Sequence, residues 1–352
     1  MKFKRIALLS HEMTYTGAPN SLLNIASTLK KRGHSVTVYT LENGIFESEY
    51  KSKGFKVNNF TVLTATEQQR TLFSQNYDLL ICNTVFCAKS AYLMQNKMPV
   101  LLYIREAENL PFIMSSCNIS DEYVNNIRNV VCVSEYAYKF ISANYTPSNL
   151  WIVHNFLIKP RFFRPSANVA SDGRVHFLIA ATIEERKGIK IALEAFNGID
   201  KALKSKAVLH IAGRTPDWSH DYWQDINFNS YGVVFHGEIS DRSEMIKLIK
   251  RVNVSVVPSF DESCSLSALE GAMCGKALIV TENVGAKYIV DEYNGFIVKT
   301  GSVSSLRNAM EDMIRNADRL KEMGAVSAYR FKKSCGEKKY YQNLKKVFAN
   351  LQ

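Results

Sequence analysis

Short runs of apolar, mostly β-branched residues alternate with helix-like stripes along this 352-residue chain, and no other feature limits its fold as strongly. The run 6–10 predicts a buried strand, the apolar residues between 22 and 29 predict a helix, and 36–40 predicts the next strand. This order starts a doubly wound parallel sheet. Further strands are predicted at 53–57, 77–83, 100–104, 130–133, 151–155, 175–180, 207–213, 233–237, 254–257, 277–281 and 294–298, and further helices at 189–196, 303–325 and 335–350.

A segment rich in Pro, Ser and Gly, 156–173, interrupts the alternation and predicts a linker. The chain is long enough for two domains. We therefore expect an α/β protein of two Rossmann-like, doubly wound domains, 1–160 and 161–334, facing across a cleft. The segment 335–352 is expected to join the first domain, because its helix carries an apolar stripe for packing. That stripe consists of Tyr340, Tyr341, Leu344 and Phe348.

The composition excludes several classes of protein. Hydrophobic residues make up 46% and charged residues 22% of the chain, which is typical of soluble globular proteins. No run approaches the ~18 apolar residues of a membrane span, and the apolar run at 6–10 is too short for a signal peptide. The seven cysteines lack paired spacing, which favours a reducing compartment over a disulfide framework or a zinc site. We expect a cytoplasmic protein.

The net charge of +11 is unevenly placed: residues 1–165 carry +7, 166–330 carry −1 and 331–352 carry +5. A basic first domain with a basic tail predicts an anionic partner for that part only. No nucleic-acid-binding motif is present, so no nucleic-acid partner is expected. Peripheral contact with the anionic inner face of a membrane is the favoured interpretation, and an ordinary solvated surface is the alternative.

Polar side chains follow the predicted strands of the first half. In doubly wound sheets, ligands bind at the carboxyl ends of the strands, so these residues are candidates for a site, although a structural role in a loop is the alternative for each of them. Gly17, at the start of the first helix, would let a ligand approach the backbone. No GxGxxG is present, which disfavours a dinucleotide cofactor. The candidates are His11, Asn83, Arg105, Glu106, Ser134 and Asn155.

The segment 254–276 combines a strand, a turn and a helix with two carboxylates. Glu262 lies on the loop between strand and helix, and Glu270 lies two turns into the helix. Ser263 and Ser265 are both suitable N-caps, and small residues leave the first-turn amides open to an anion. The segment therefore predicts amides for a phosphate and carboxylates for hydroxyl groups. The alternative is a capped amphipathic helix with two incidental acids.

An ordered set of short motifs carries a resemblance that covers nearly the whole chain. Its second half resembles the donor domain of a retaining glycosyltransferase of the GT-B fold, family GT4 (glycosyl transferases group 1). The motifs are Thr16-Gly17-Ala18-Pro19, Val133-Ser134-Glu135, Ile152-Val153-His154-Asn155, Lys187-Gly188, Ile211-Ala212-Gly213, Phe235-His236-Gly237, the two glutamates of Glu262 to Glu270, and Asn294-Gly295-Phe296.

The resemblance implies roles for these residues in holding a nucleotide-diphosphate sugar. Lys187 would bind the diphosphate together with the helix amides, Glu270 would accept hydrogen bonds from the ribose, and Glu262 would lie near the donor sugar. No metal ion and no other cofactor is expected, because a lysine and amides replace the cation. The remaining residues of this implied donor site are Gly17, His236, Gly237, Ser265, Leu266 and Ser267.

Two positions depart from the pattern of the family. An Arg commonly stands six residues before the Lys, where this chain has Ala181. Either Arg214 or Arg186 would compensate, and Arg214 is favoured because it follows a strand end. A His commonly follows the strand matching 100–104, where this chain has Arg105 and Glu106. Arg105 would bind an acidic group and Glu106 would act as a base or orienting partner, with a structural ion pair as the alternative.

The function that the resemblance implies is a retaining hexosyltransferase. It would move a sugar from a nucleotide-diphosphate sugar to a hydroxyl of a saccharide, expected to be lipid-linked, in bacterial surface polysaccharide synthesis. The departures suggest one alternative, a non-catalytic subunit that binds sugar nucleotides for a partner enzyme. A second alternative is an epimerase of the same fold that acts on the sugar nucleotide itself. The donor sugar, the base, the acceptor, the linkage and the oligomeric state do not follow from the sequence.

Overall fold

The computed structural model describes residues 2–59, 64–160, 163–165 and 172–351. The chain forms two compact units: Met1–Ile158 with Glu337–Gln352, and Lys159–Gly336. The boundaries expected from the sequence, 160/161 and 334/335, lie two residues from these divisions. Of the linker expected at 156–173, residues 161–162 and 166–171 lie outside the described residues.

The first unit contains a sheet of seven parallel strands in the order β3-β2-β1-β4-β5-β6-β7. The order reverses beside β1, as it does in doubly wound folds. The central strands are buried along their length, which their continuous apolar sequences explain. The strands are β1 (Arg5–Ser10), β2 (Ser35–Thr40), β3 (Val57–Asn59), β4 (Leu79–Asn83), β5 (Val100–Ile104), β6 (Asn129–Cys132) and β7 (Asn149–Ile152).

Helices connect these strands. Several of the helices have an N-cap side chain that accepts a backbone hydrogen bond. Thr66 and Gln69 form a capping box at the start of one, and Ser134 caps another. The helices are α1 (Gly17–Lys31), α2 (Glu47–Ser52), α3 (Glu67–Asn76), α4 (Ala88–Met94), α5 (Leu110–Ser116), α6 (Asp121–Asn125) and α7 (Glu135–Asn144).

The strand predicted at 53–57 is wrong in its bounds. Helix α2 ends at Ser52, and Gly54 adopts a left-handed conformation with φ of 73°. The chain therefore turns over the residues where a strand was expected, and pairing with β2 begins only at Val57. A glycine in this conformation ends a helix without steric cost.

The second unit contains six parallel strands in the order β10-β9-β8-β11-β12-β13. The predicted α/β fold with two parallel sheets is thus confirmed. The strands are β8 (Val175–Ala180), β9 (Ala207–Ala212), β10 (Val234–Phe235), β11 (Val254–Val257), β12 (Ala277–Thr281) and β13 (Gly295–Val298). The helices are α8 (Ile189–Asn197), α9 (Lys201–Lys204), α10 (His220–Trp223), α11 (Arg242–Arg251), α12 (Leu266–Met273), α13 (Val303–Arg315) and α14 (Leu320–Ser334).

The single helix predicted at 303–325 is wrong, because α13 and α14 are separate. The side-chain amide of Asn316 donates to the carbonyl of Asp312 at 2.8 Å, and a 3₁₀ turn, Ala317–Arg319, follows. Such local hydrogen bonds of Asn compete with the continuing helix. The apolar periodicity of the sequence continues across this break, because Leu306, Met310 and Leu320 all pack into the same core.

The last helix, α15 (Glu337–Asn350), packs within the first unit. The ring of Tyr340 stacks on Phe156 with centroids 3.9 Å apart, and its hydroxyl lies 2.8 Å from that of Tyr103. Two turns further along, Phe348 meets Phe3 edge to face. These contacts tie the last helix to β5 and to the segments that precede β1 and follow β7. None of the helices in the described part of the chain is long and apolar enough to span a bilayer.

Tyr340→Ala tests how much this helix stabilises the first unit. Removing a buried aromatic ring typically costs about 3–5 kcal/mol of unfolding free energy, and we expect a loss of that order in urea titration followed by circular dichroism. Tyr329→Ala on α14 is the matched control, because that ring is 60% exposed and its removal is expected to cost less than about 0.5 kcal/mol. Equal losses in the two variants would contradict the assigned packing.

Candidate functional site

Two loops at the carboxyl ends of β8 and β11 touch in the second unit. The first forms a 3₁₀ turn, Glu185–Lys187, and ends at Gly188, whose φ is 67°. A Cβ at Gly188 would lie 2.1 Å from the carbonyl oxygen of Pro258. Glycine is therefore required here both for the backbone conformation and for the close approach. This contact holds the Lys187 loop beside the loop that carries Glu262.

Lys187 and Glu262, 75 residues apart in sequence, form an ion pair through Nζ and Oε2. Arg186 lies beside them: its Nη1 donates to the carbonyl of Asp261 at 2.8 Å and its Nη2 donates to Glu184 at 2.7 Å. Burial alone would raise the pKa of Glu262, but the charges of Lys187 and Arg186 outweigh it and lower that pKa. The carboxylate is therefore held ionised.

Helix α12 begins beside this pair. Ser265 is its N-cap and accepts a hydrogen bond from the amide of Ala268 at 3.2 Å, which confirms one of the two predicted caps. Leu266 is the first helical residue, and the hydroxyl of Ser267 lies 2.9 Å from that of Ser265. Ser263 does not cap the helix. The first turn of α12 thus lies next to the Glu262 loop, as the sequence predicts.

Glu270 lies on α12, with its carboxylate 3.8 Å from Nη2 of Arg242, the first residue of α11. Burial raises the pKa of Glu270, and Arg242 only partly opposes that effect. The carboxylate therefore has a weak, long-range ion pair and retains capacity to accept hydrogen bonds. Arg242 was not identified from the sequence, because a charged residue in the first turn of an exposed helix carries no distinguishing signal.

The ends of β8, β9 and β10 meet through their backbones. The amide of Gly213 donates to the carbonyl of Gly237 at 2.8 Å, and a Cβ on Gly213 would lie 1.7 Å from the carbonyl oxygen of Ala181. Arg214 follows at this edge, and its carbonyl accepts from Ile183 at 2.9 Å. Within the described part of the chain, the guanidinium of Arg214 makes no hydrogen bond or ion pair. In contrast to Arg186, Arg214 therefore has no anionic partner among the described residues.

His236 and Gly237 follow β10 directly. Gly237 adopts a left-handed conformation with φ of 64°. The imidazole Nε2 of His236 lies 3.0 Å from Nδ1 of His210 on β9. The sequence places His236 at this edge but gives no indication of its hydrogen bond to another histidine.

In the first unit, the strand-end candidates form a network around Arg105. Its Nε donates to the side-chain oxygen of Asn83 at 2.6 Å, and its Nη1 donates to that of Asn155 at 2.7 Å. Glu106 is buried and accepts from the amides of Arg105 at 2.8 Å and Val85 at 3.4 Å. Burial raises the pKa of Glu106 despite these contacts. The Arg105 and Glu106 side chains therefore do not form the direct ion pair that was one alternative: each has other partners.

His11 lies next to this network. Its ring stacks on Phe86 with centroids 4.6 Å apart, its Nδ1 lies 3.2 Å from the hydroxyl of Thr84, and its Nε2 lies 3.4 Å from the carboxylate of Glu12. The hydrogen bond from His11, followed by that from Thr16, lowers the pKa of Glu12 to about 2. Glu12 and Thr84 were not identified from the sequence.

The remaining candidates of the first unit have different positions. Gly17 is the first residue of α1, and the hydroxyl of its N-cap, Thr16, donates to Glu12 and does not cap the helix. The first-turn amides of α1 consequently have no side-chain cap. Ser134 accepts from the amide of Ala137 as the N-cap of α7, which is the structural role that was its alternative.

The two units match two family models. Residues 162–328 match the model of glycosyl transferases group 1, and residues 2–139 match the model of glycosyl-transferase family 4. The chain belongs to glycosyltransferase family 4. It is 26% identical over 167 residues to an uncharacterized glycosyltransferase, MJ1069, of Methanocaldococcus jannaschii, an alignment that covers 47% of this chain and 42% of that protein.

A second relative is the N,N'-diacetylbacillosaminyl-diphospho-undecaprenol alpha-1,3-N-acetylgalactosaminyltransferase of Campylobacter jejuni, 23% identical over 52% of this chain and 48% of the relative. The chain thus spans about half the length of these curated relatives. The solved structure of Anabaena Alr3699/HepE in complex with UDP and glucose has a TM-score of 0.79, 16% identity, and coverage of 99% of this chain and 100% of that one. This likeness confirms the predicted GT-B fold.

Gly188→Ala tests the contact between the two loops of the second unit. A methyl group at this position meets the Pro258 carbonyl, so we expect the variant to lose more than the roughly 1 kcal/mol that a left-handed backbone alone costs an alanine. Gly232→Ala is the matched control, because Gly232 has a φ of 66° and a Cβ there would meet no atom within 4 Å. Thermal unfolding midpoints that fall equally in both variants would contradict the steric role.

Proposed function

We propose that this protein is a retaining glycosyltransferase that transfers a hexose from a nucleotide-diphosphate sugar to a saccharide hydroxyl. The observation that carries the proposal is the Lys187–Glu262 pair at the carboxyl edge of the second sheet, beside the first turn of α12. A cation, the amides at the start of α12 and carboxylates together can hold a diphosphate and the hydroxyl groups on either side of it.

The charges of the site favour Arg214 as the second diphosphate cation. Lys187 is paired with Glu262, and Arg186 is bonded to Glu184 and to the carbonyl of Asp261. Both are already neutralised in part, whereas Arg214 has no such partner among the described residues. Arg214 would therefore supply the charge that Ala181 cannot.

In the proposed reaction, the acceptor oxygen bonds to the anomeric carbon on the face from which the nucleotide departs. The bond between that carbon and the phosphate oxygen breaks, and the proton of the acceptor hydroxyl passes to the departing phosphate. Lys187, Arg214 and the α12 amides stabilise the negative charge that grows on the diphosphate. Glu270 holds the ribose, Glu262 lies near the donor sugar, and no metal ion is required.

The acceptor is assigned to the first unit, with Arg105 and Glu106 at its carboxyl edge. Arg105 is held by Asn83 and Asn155, and a fixed guanidinium suits a phosphate or carboxylate of the acceptor. We propose a lipid-diphosphate-linked saccharide of a bacterial surface polysaccharide pathway. The Campylobacter relative, whose name specifies a diphospho-undecaprenol acceptor, supports this assignment.

Lys187→Met tests the donor site. Loss of a charged hydrogen-bonding partner typically costs about 1.5–3 kcal/mol, so we expect roughly 10- to 100-fold weaker nucleotide binding. The measurement is thermal shift and calorimetry with UDP-, GDP- and dTDP-sugars, since a bound ligand raises stability in proportion to its affinity. Lys190→Met is the control, because Lys190 is an exposed lysine whose ammonium lies over the ring of Tyr222. Arg214→Ala should weaken binding in the same way.

The outcomes of this panel separate the alternatives. Failure of the wild-type protein to bind any sugar nucleotide would sink the proposal as a whole. Binding with turnover only after a second chain is added would select the non-catalytic subunit. A donor sugar that changes without any acceptor would select the epimerase.

We further propose that the first unit contacts an anionic membrane surface through the segment 45–56. Lys51, Lys53 and Lys56 are exposed there, and Ile45 is 75% exposed. The net charge of the first unit favours this surface less strongly than the charges of the segments 1–165 and 331–352 suggest. The formal charges of the two units are +7 and +4, because basic residues near both boundaries fall in the second unit.

Charge reversal at Lys51, Lys53 and Lys56 should therefore abolish sedimentation with phosphatidylglycerol vesicles at low salt, since each basic residue contributes about 1 kcal/mol to such binding. Reversal of Lys201, Lys206 and Lys321, which are exposed lysines of the second unit, is the control and should leave binding unchanged. Equal binding of both triple variants would overturn the membrane assignment.

A further inference from the structure

Three imidazoles from adjacent strands form a hydrogen-bonded chain in the second unit. His176 of β8 and His210 of β9 are joined through Nδ1 and Nε2 at 2.9 Å, and His210 is joined to His236 through Nδ1 and Nε2 at 3.0 Å. Neighbouring rings stack with centroids 5.1 and 5.2 Å apart. We call His176, His210 and His236 the imidazole chain.

The imidazole chain crosses the sheet diagonally. His176 lies opposite Val208, two residues before His210, and His210 lies opposite Val234, two residues before His236. Each step therefore moves toward the carboxyl ends of the strands. The imidazole chain begins beside Asp172, before β8, and ends at the carboxyl edge of the sheet that carries Gly213 and Gly237.

Asp172 fixes the direction of these hydrogen bonds. Both of its oxygens lie 3.1 Å from Nε2 of His176, and an ionised carboxylate can only accept. His176 therefore donates from Nε2, which leaves its Nδ1 to accept from Nε2 of His210. His210 Nδ1 then accepts from Nε2 of His236. In the neutral state, Nδ1 of His236 is then an acceptor, and no hydrogen bond among the described residues engages it.

One added proton reverses the direction of both hydrogen bonds in the imidazole chain. If Nδ1 of His236 gains a proton, each ring can pass one on, so that the charge comes to lie on His176 beside Asp172 and Nδ1 of His236 becomes a donor. Burial, followed by the neighbouring His176, His236 and Arg174, lowers the pKa of His210 to about 4. Burial also lowers the pKa of His236. Both shifts favour the neutral rings of His210 and His236.

Arg174 is a further charged group at this end of the imidazole chain. It donates to Asp172 from its backbone amide at 3.0 Å and from Nε at 2.9 Å. These bonds keep the carboxylate ionised and oriented toward His176. The two groups thus act together on the same end of the imidazole chain.

We propose that Asp172 is a positioning residue for nucleotide binding: acting through the imidazole chain, it keeps Nδ1 of His236 unprotonated, as a hydrogen-bond acceptor for the nucleotide at the carboxyl edge of the sheet. This proposal rests on the donor site proposed above. A hydrogen-bond donor of the nucleotide binds the neutral chain, and proton uptake turns that acceptor into a donor. Nucleotide affinity is therefore linked to pH through a residue at the opposite edge of the sheet.

The first test requires no nucleotide. In protein with ¹⁵N-labelled histidine, NMR shifts report which ring nitrogen carries the proton. In the wild type at pH 7.5 we expect His236 protonated on Nε2 alone. In Asp172→Asn, whose amide can donate as well as accept, we expect the Nδ1-protonated form to appear. Asp221→Asn is the control, because Asp221 is fully exposed and lies 4.0 Å from His220, outside the chain. An unchanged His236 tautomer in Asp172→Asn would overturn the relay.

The second test measures binding of UDP, GDP and dTDP between pH 8 and pH 5.5 by calorimetry. As the pH falls over this range, we expect the nucleotide affinity of the wild type to decrease about three- to tenfold more than that of Asp172→Asn. This difference corresponds to the loss of one hydrogen bond. Protonation of the nucleotide's own phosphate affects both proteins equally and cancels in the comparison. Parallel pH profiles would overturn the assigned link. If the wild type bound no nucleotide at any pH, the proposed function would fail, while the NMR result would still decide the relay.

Discussion

The close approach of Gly188 to the carbonyl of Pro258 is the constraint on which the candidate donor site depends. It brings together two loops that are far apart in the sequence and lets Lys187 reach Glu262. Only a glycine allows both the left-handed backbone and the contact. The parallel register of β8 and β11 supplies the rest, since it places the carboxyl ends of both strands at the same edge.

A contribution to folding stability does not explain the Lys187–Glu262 ion pair. Desolvation of two charges commonly costs as much as their attraction returns, and the chain places a second cation, Arg186, against the same carboxylate at 3.8 Å. Under the proposed function, a ligand would rearrange this cluster. A diphosphate entering beside Lys187 would share the ammonium with Glu262 and would find in Arg214 a cation that no carboxylate of the described residues already occupies.

The sequence allows most of the fold to be predicted, because strand cores and strand ends have a composition that can be read directly. Ile104 and Arg105, for example, mark the end of β5 without ambiguity. Local backbone events are less visible: the turn at Gly54 and the helix break at Asn316 leave the apolar pattern unchanged. Within the site, Glu262 and Lys187 are recognisable by motif, whereas Thr84, with a φ of 80°, and Asp172 acquire their roles only through neighbours distant in the sequence.

The two strand-edge clusters differ in how they respond to protons. Arg105 stands where the family commonly has a histidine, and a guanidinium remains charged at every pH at which the protein is folded. Its position is fixed by hydrogen bonds to Asn83 and Asn155, neither of which titrates. The second unit has the opposite arrangement, with three histidines aligned behind one carboxylate. The second unit thus offers a titrating imidazole chain on the side proposed to bind the nucleotide, while the guanidinium of Arg105 in the first unit keeps its charge.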